Sequence, residues 1–279
     1  MRLKVLILVK AYPAISTKYN ETVCTAGITE NGKWIRIYPI PFRQLDYKKQ
    51  FRKYEWVELD LVRNGSDFRP ESYRPKDIML TDMVSHGVIA ADGDTWIHRR
   101  KFVLKNVYSN LDKLISEAKD RSLYTSLAVF KPSKIIDFVC KKTKREWSKN
   151  KLDYLKSHKL QMNLFDNNDK NDITEFEEVD KLPYKFSFIF EDDTRRRSTL
   201  MIEDWETGRL YWNSLIRHKG NELKAVEDVK KKYFDDFAKT KDYHFFLGTI
   251  KKYHLVAPNP FVIIGDFRPR HIKQESFFE

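Results

Sequence analysis

The sequence predicts a mostly β, α+β protein made of two small units with a few helices. Short runs rich in β-branched and aromatic residues alternate with Gly, Asn, Asp and Pro, which is typical of strands separated by tight turns. The length of 279 residues corresponds to about two domains at roughly 150 residues each. Charged residues make up 33% of the chain, but aromatic residues reach 14%, so the composition is that of a folded protein.

The first block of predicted strands contains a hairpin and a helix. The Glu-Asn-Gly turn at residues 30–32 supplies the positive-φ positions that a tight hairpin needs. A helix is predicted after Ser109, because apolar residues recur at helical spacing from Leu111 to Ala118. The predicted strands of this block cover residues 4–10, 22–28, 33–38, 56–63, 87–91, 102–105, 126–130 and 134–139.

A reversal of charge separates this block from the second. Residues 141–159 carry eight Lys or Arg and two acidic residues, whereas 166–181 carry seven Asp or Glu and two Lys. Such a run is typical of a solvated linker, so we predict a first domain at 1–147, a linker at 148–181 and a second domain at 182–279. The second block is predicted to contain strands at 184–191, 198–203, 209–212 and 261–265, and a helix within 221–239.

The charge balance indicates an anionic partner. The 52 Lys and Arg exceed the 40 Asp and Glu and give a formal charge of +12, which attracts polyanions. Neither Cys24 nor Cys140 has the Cys or His spacing of a zinc site, and no phosphate-binding glycine loop or serine-hydrolase elbow is present. We therefore predict no cofactor and no metal. No apolar run has the length of a membrane helix, so a cytoplasmic protein with no membrane partner is expected.

Residues 34–38, Trp-Ile-Arg-Ile-Tyr, are the most informative stretch. Side chains alternate along a strand, so Ile35 and Ile37 share one face while Trp34, Arg36 and Tyr38 share the other. Aromatic rings beside a guanidinium form a stacking platform for unpaired bases. The alternative is that Trp34 and Tyr38 belong to a second core, with Arg36 paired to a carboxylate.

Basic and aromatic residues recur together at several other places in the chain. This recurrence predicts a nucleic-acid surface formed by Lys10, Tyr12, Trp34, Arg36, Tyr38, Arg43, Arg69, Tyr73, Arg74, Arg209, Tyr211, Trp212, Arg268 and Arg270. The three arginines at 195–197 are predicted to form a hairpin turn over Asp192 and Asp193, and a phosphate contact is the alternative.

Two acidic groups leave an enzymatic alternative open. Residues 191–193 and the trio Glu203, Asp204 and Glu206 supply the carboxylates that Mg²⁺ would need in a nuclease. Their spacing matches no nuclease pattern, so turn and surface roles are predicted and no residue is assigned as catalytic.

A short peptide lies between the basic and acidic runs. Gln161, Leu164 and Phe165 resemble the Gln-x-x-Leu-Phe segment with which bacterial replication and repair proteins dock on the sliding clamp. Such segments insert apolar anchors into a preformed pocket. The alternative is that these apolar residues hold the linker against a domain.

Five segments together resemble a family of uncharacterised prokaryotic proteins with a dual OB-like domain. They lie at residues 21–27, 32–39, 69–73, 246–249 and 260–265 and so span both halves of the chain. The resemblance implies two small OB-like β-barrels with peripheral helices, joined by a charged linker. It brings no settled activity and no catalytic residues.

The predicted function is non-catalytic binding of single-stranded or distorted nucleic acid, DNA or RNA, within a DNA-maintenance or defence assembly. Two alternatives stay open. One is the metal-dependent nuclease, and the other is an adaptor that binds a protein partner in a larger assembly.

Overall fold

The first domain is a small β-barrel followed by a short helix. The computed structural model describes residues 1–16, 20–148 and 179–272. The strands of this domain are β1 (Arg2–Lys10), β2 (Ala14–Ser16), β3 (Asn20–Ile28), β4 (Trp34–Ile40), β5 (Glu55–Arg63), β6 (Ser72–Pro75) and β7 (Val84–Val88). Short 3₁₀ turns cover Phe42–Gln44 and Tyr47–Lys49, and an irregular turn at Asp92–Trp96, with Gly93 and Trp96 at positive φ, leads into α1 (Ile97–Val103).

Closure of the barrel depends on β1. This strand pairs antiparallel with both β3 and β5, so the order β1-β3-β4-β6-β5 returns to its starting point. All residues from Val5 to Val9 are buried. Val5 and Ile7 point into the barrel, whereas Leu6 and Leu8 pack in a separate cluster with side chains of the second domain. A strand buried on both faces reads as a continuous apolar run.

The second domain is a pair of small sheets with helices packed around them. Its elements are β8 (Val107–Tyr108), α2 (Leu111–Lys119), β9 (Leu127–Phe130), β10 (Lys134–Lys142), β11 (Tyr184–Glu191), β12 (Arg197–Met201), α3 (Trp205–Arg217), α4 (Glu222–Lys230), β13 (His244–Thr249) and β14 (Phe261–Phe267). A π-helical segment, Lys231–Ala238, continues α4, and a 3₁₀ turn covers Lys251–Tyr253. The sheets have the orders β10-β11-β12 and β14-β13-β9-β8, and a bridge between Ile202 and Ile263 links them.

The predicted mostly β, α+β class and the two-domain layout are confirmed. The predicted hairpin joins β3 to β4, with Gly32 at a φ of +79°. The three-arginine turn joins β11 to β12, where the Asp192 carboxylate accepts hydrogen bonds from the backbone of Thr194 and Arg196 at 3.0 Å each. The predicted helix after Ser109 is α2, capped by Asn110.

Two predicted strands are wrong. Residues 102–105 overlap the end of α1, and residues 209–212 lie within α3. The Asp204 side chain accepts hydrogen bonds from the backbone of Glu206 and Thr207, which starts a helix where aromatic residues had indicated a strand. In addition, the strand predicted at 87–91 lies at 84–88 as β7.

The predicted domain limits stay predictions. Most of the linker, residues 149–178, lies outside the described residues, and so do Gln161, Leu164 and Phe165. β9 and β10 lie before residue 147, and they pair with β13 and β11 of the second block. Among the helices that the structure describes, none has the length and apolar character needed to cross a membrane.

Candidate nucleic-acid interface

A groove of about 470 Å³ runs between the end of the barrel strand β1 and one face of α3. On α3, four groove residues follow one another at spacings of four, three and four, so they share one face of the helix. We call this site the interdomain groove; its lining is Tyr12, Pro13, Arg43, Val179, Asp180, Trp205, Arg209, Trp212 and Ile216.

Tyr12 attaches the barrel to α3. Its ring lies so close to Gly208 that a Cβ added at Gly208 would be 2.2 Å from the ring atom Cε2. Its hydroxyl donates to the carbonyl oxygen of Asp180 at 2.7 Å and accepts from Nε1 of Trp212 at 2.8 Å. Burial raises the pKa of Tyr12 to about 12, so the hydroxyl keeps its proton and Trp212 is held in a defined orientation.

The Trp205 ring packs against side chains of the barrel domain. Its ring meets Phe42 edge-on, with 5.5 Å between ring centroids. The Lys10 ammonium lies 4.4 Å from the Phe42 centroid and 5.8 Å from that of Trp205. Burial, together with the charge of Lys53, lowers the pKa of Lys10. Lys10 therefore supports the aromatic wall of the groove rather than forming its open surface.

Two guanidinium groups give the groove its positive charge. Arg43 forms an ion pair with the buried Glu21, with 2.8 Å between Nη1 and Oε2. Arg209 is exposed, and within the described residues it has no hydrogen bond or ion pair. Aromatic rings beside accessible cations are the arrangement that stacks unpaired bases and neutralises phosphates. The structure thus brings together four of the predicted residues, Tyr12, Arg43, Arg209 and Trp212.

Arg36 and Arg69 instead join the two domains. Arg36 is 4% exposed, and its Nη2 donates to the Ser126 carbonyl at 3.2 Å and lies 3.7 Å from Glu71. Arg69 pairs with Asp67 and donates to the carbonyl of Thr249 at 2.7 Å. Both guanidinium groups therefore form hydrogen bonds and ion pairs within the protein. The exposed position that we predicted for Arg36 is wrong.

In the rest of the 34–38 stretch, Trp34 follows the alternative interpretation, whereas Tyr38 packs in no core cluster of the described residues. Ile35 and Ile37 do point into the barrel, as expected from the alternation. Trp34 packs edge-on against Phe246 of the second domain, with 6.0 Å between ring centroids. Tyr38 is half-buried and accepts a hydrogen bond from Thr22 at 3.3 Å. The second domain thus covers the outer face of β4 at Trp34 and Arg36, and Trp34 packs against a core cluster that both domains contribute to.

The remaining predicted residues are dispersed. Tyr73 is half-buried with the Arg63 guanidinium 5.7 Å from its ring centroid, and Arg74 is exposed. Tyr211 is fully buried in the core of the second domain. Arg270 pairs with Asp94 at 3.0 Å on the surface. A nucleic-acid role for Tyr73, Arg74 and Arg270 stays a prediction, whereas the predicted place of Tyr211 on an open surface is wrong, because its side chain is 0% exposed.

Arg268 belongs to a partly buried ionic cluster between the domains, in which Asp204 and Asp266 are buried and Glu206 is 40% exposed. It pairs with Asp266, and with Glu206 at 3.2 Å, while Lys53 of the barrel lies 3.2 Å from Glu206 and 3.4 Å from Asp204. Burial raises the pKa of Asp204 to about 6 despite Lys53. Burial by itself would raise the pKa of Glu206, but the positive charges of Lys53 and Arg268 outweigh it and lower this pKa to about 2.

Four of the carboxylates considered for a metal site, Asp192, Asp193, Asp204 and Glu206, are used in turns, a helix cap and ion pairs. Asp192 accepts from the backbone of Leu111 at 3.1 Å, and Asp193 accepts from the Ser109 hydroxyl at 2.7 Å. Within residues 1–16, 20–148 and 179–272, no group of three His, Cys, Asp or Glu side chains is placed to hold a metal ion.

Comparison with known proteins places the chain in a family. Residues 1–105 match the model of a domain of unknown function, DUF8758, and residues 107–279 match that of a domain of unknown function, DUF8757. The chain belongs to the DUF8757 family. Membership of an uncharacterised family is thus confirmed, and the two matches meet where the barrel domain ends, after α1.

No curated protein sequence matches this DUF8757 chain. A solved structure of a murine DNA-binding protein bound with double-stranded DNA aligns with a TM-score of 0.30 and 11% sequence identity, over 99% of this chain and 98% of that one.

The sequence alone did not identify Trp205 as a groove residue or Lys53 as a member of the ionic cluster. Trp205 follows Asp204, whose type and position are those of a helix N-cap, so a helical reading of 205–217 would have placed Trp205 on the face of Arg209 and Trp212. Lys53 carries no local signal, because its partners lie about 150 or more residues away along the chain.

Proposed function

We propose that this protein binds single-stranded nucleic acid without cleaving it, in the interdomain groove. The observation that carries the proposal is the groove itself, where Trp205 and Trp212 are half-buried beside the exposed guanidinium of Arg209. Indole rings stack on bases of any sequence, and the exposed Arg209 guanidinium, which has no hydrogen bond or ion pair among the described residues, is available to a phosphate.

Single strands fit this arrangement better than a duplex does. Stacking on Trp205 or Trp212 needs a base whose face is open, and a duplex keeps its base faces stacked on one another. The formal charge of +12 adds long-range attraction to any polyanion. The chemistry of stacking and phosphate contact is shared by DNA and RNA, so both are expected to bind.

The test is a titration of the full chain with labelled 12-nucleotide single strands of DNA and RNA and with a duplex of the same sequence. Arg209→Ala is the test variant, and Arg121→Ala, at an exposed arginine outside the groove, is the matched control. Loss of one phosphate contact should weaken binding and reduce the slope of log K against log salt by about 0.7. The control should keep both the affinity and the slope.

Equal effects of Arg209→Ala and Arg121→Ala would show that binding is spread over the surface and would contradict the assignment to the groove. Cleavage of the strands in Mg²⁺ would support the nuclease alternative instead. If neither single strands nor the duplex bind at low salt, the adaptor alternative replaces the proposal.

A further inference from the structure

A second cavity lies at the seam between the two domains. It has a volume of about 710 Å³ and is lined by residues from β3, β4 and α1 of the barrel domain and from β8, α2 and β9 of the second. We call it the seam cavity. It shares no lining residue with the interdomain groove. Its volume is within the usual range of small-molecule sites, about 300–1,000 Å³.

The inner part of the seam cavity is apolar and aromatic. Ile28, Leu127 and Val129 form a buried floor. Trp34 and Phe102, both half-buried, add flat rings to the wall. Such a surface suits a planar heteroaromatic group, because aromatic rings combine a large apolar area with favourable stacking or edge contacts.

The mouth of the cavity carries two cations. The Lys105 side chain crosses the hairpin turn, where a Cβ added at Gly32 would be 3.1 Å from its Cδ, and its ammonium donates to the Glu30 carbonyl at 2.8 Å. Lys113 is exposed in the first turn of α2, and among the described residues its ammonium has no hydrogen bond or ion pair. The one carboxylate of the lining, Asp193, already accepts from the Ser109 hydroxyl.

We infer that the seam cavity binds a nucleotide unit, with its base against Trp34 and Phe102 and its phosphate between Lys105 and Lys113. A flat apolar interior and a cationic mouth match the two halves of that ligand, and ammonium groups bind phosphate by charge-assisted hydrogen bonds. The inference goes beyond the groove proposal and does not rest on it. The nucleotide is either a free one or an unpaired residue of a bound strand.

The test is isothermal titration calorimetry of the full chain with adenosine 5′-monophosphate, with adenosine and with inorganic phosphate. We expect the monophosphate to bind more tightly than either fragment. Lys113→Glu should weaken it by about tenfold or more, since it removes one charged contact and adds repulsion. Lys119→Glu is the matched control, because Lys119 is exposed on the same helix and outside the cavity. Thermal melts of both variants check that the fold is kept.

Two further arms identify the source of the nucleotide and separate this site from the groove. Arg209→Ala should leave binding of the monophosphate unchanged, so the seam cavity can be confirmed even if the groove proposal fails. If the monophosphate does not bind but Lys113→Glu weakens binding of a 12-nucleotide strand and Lys119→Glu does not, the ligand is a residue of a strand.

Three results would overturn the inference. One is equal binding of adenosine and its monophosphate, and another is equal loss in Lys113→Glu and Lys119→Glu. The third is an absence of monophosphate binding together with strand binding that Lys113→Glu leaves unchanged.

Discussion

Replacing Gly208 by Ala tests the contact that places Tyr12 in the groove. Gly208 lies inside α3, where Gly is unfavourable by about 1 kcal/mol relative to Ala. An exposed helix position would therefore be stabilised by the change. At Gly208, however, the new Cβ would lie 2.2 Å from Cε2 and 2.3 Å from Cδ2 of the Tyr12 ring.

The clash should outweigh the gain in helix propensity. Carbon atoms in contact are normally about 3.5–4.0 Å apart, so the ring must move by more than an ångström. Its hydroxyl holds two hydrogen bonds, to Asp180 and from Trp212, each worth about 1 kcal/mol. Overpacking typically costs about 1–3 kcal/mol. Loss of one of these hydrogen bonds offsets the gain in helix propensity of about 1 kcal/mol, so we expect Gly208→Ala to lower the free energy of unfolding by the overpacking cost, about 1–3 kcal/mol.

Urea denaturation followed by circular dichroism measures this change. Asn213→Ala, at an exposed position of the same helix, should raise stability by a few tenths of a kcal/mol, roughly its difference in helix propensity. In a Tyr12→Ala background, Gly208→Ala should no longer destabilise the protein, because the remaining close neighbour of the new Cβ is Cδ1 of Leu182 at 3.3 Å, the end of a flexible side chain that can move slightly. If Gly208→Ala stabilises the wild-type chain as Asn213→Ala does, the close approach of Tyr12 to α3 is refuted.

Two further predictions concern buried charges. Lys53→Met should lower the free energy of unfolding by about 3–5 kcal/mol, because the buried Asp204 carboxylate loses its positively charged partner. Urea denaturation measures this loss, with Lys48→Met, at an exposed lysine, as the control. Equal denaturation midpoints for the two variants would contradict this role of Lys53. Burial opposes ionisation of Asp67 and Asp242, but hydrogen bonds from neighbouring basic side chains lower the pKa of each from 3.8 to about 2. The folded state then binds fewer protons than the unfolded one, so about 2 kcal/mol per carboxyl is present at neutral pH and is lost as the pH falls from about 4 to 2. Asp67→Asn should flatten this acid limb in a pH series of melts, and an unchanged limb would count against it.

Much of the fold follows from local patterns. The apolar run of β1 and the Gly32 turn between β3 and β4 are visible in the sequence, because side-chain alternation and positive φ depend only on neighbouring residues. α3 was missed because its aromatic residues favour a strand locally, whereas the Asp204 cap and burial of Tyr211 in the core of the second domain stabilise a helix. Tertiary packing overrides such propensities.

By itself, the sequence determined the mostly β class, the basic charge and the pairing of aromatic residues with arginines. Only the tertiary structure decided which arginines are exposed and which are buried between the domains. Alternation along β4 shows that Arg36 lies on the face opposite Ile35, but it does not show what covers that face. The second domain covers it and buries Arg36 beside Glu71. Arg209 stays exposed because its face of α3 borders the groove rather than the core.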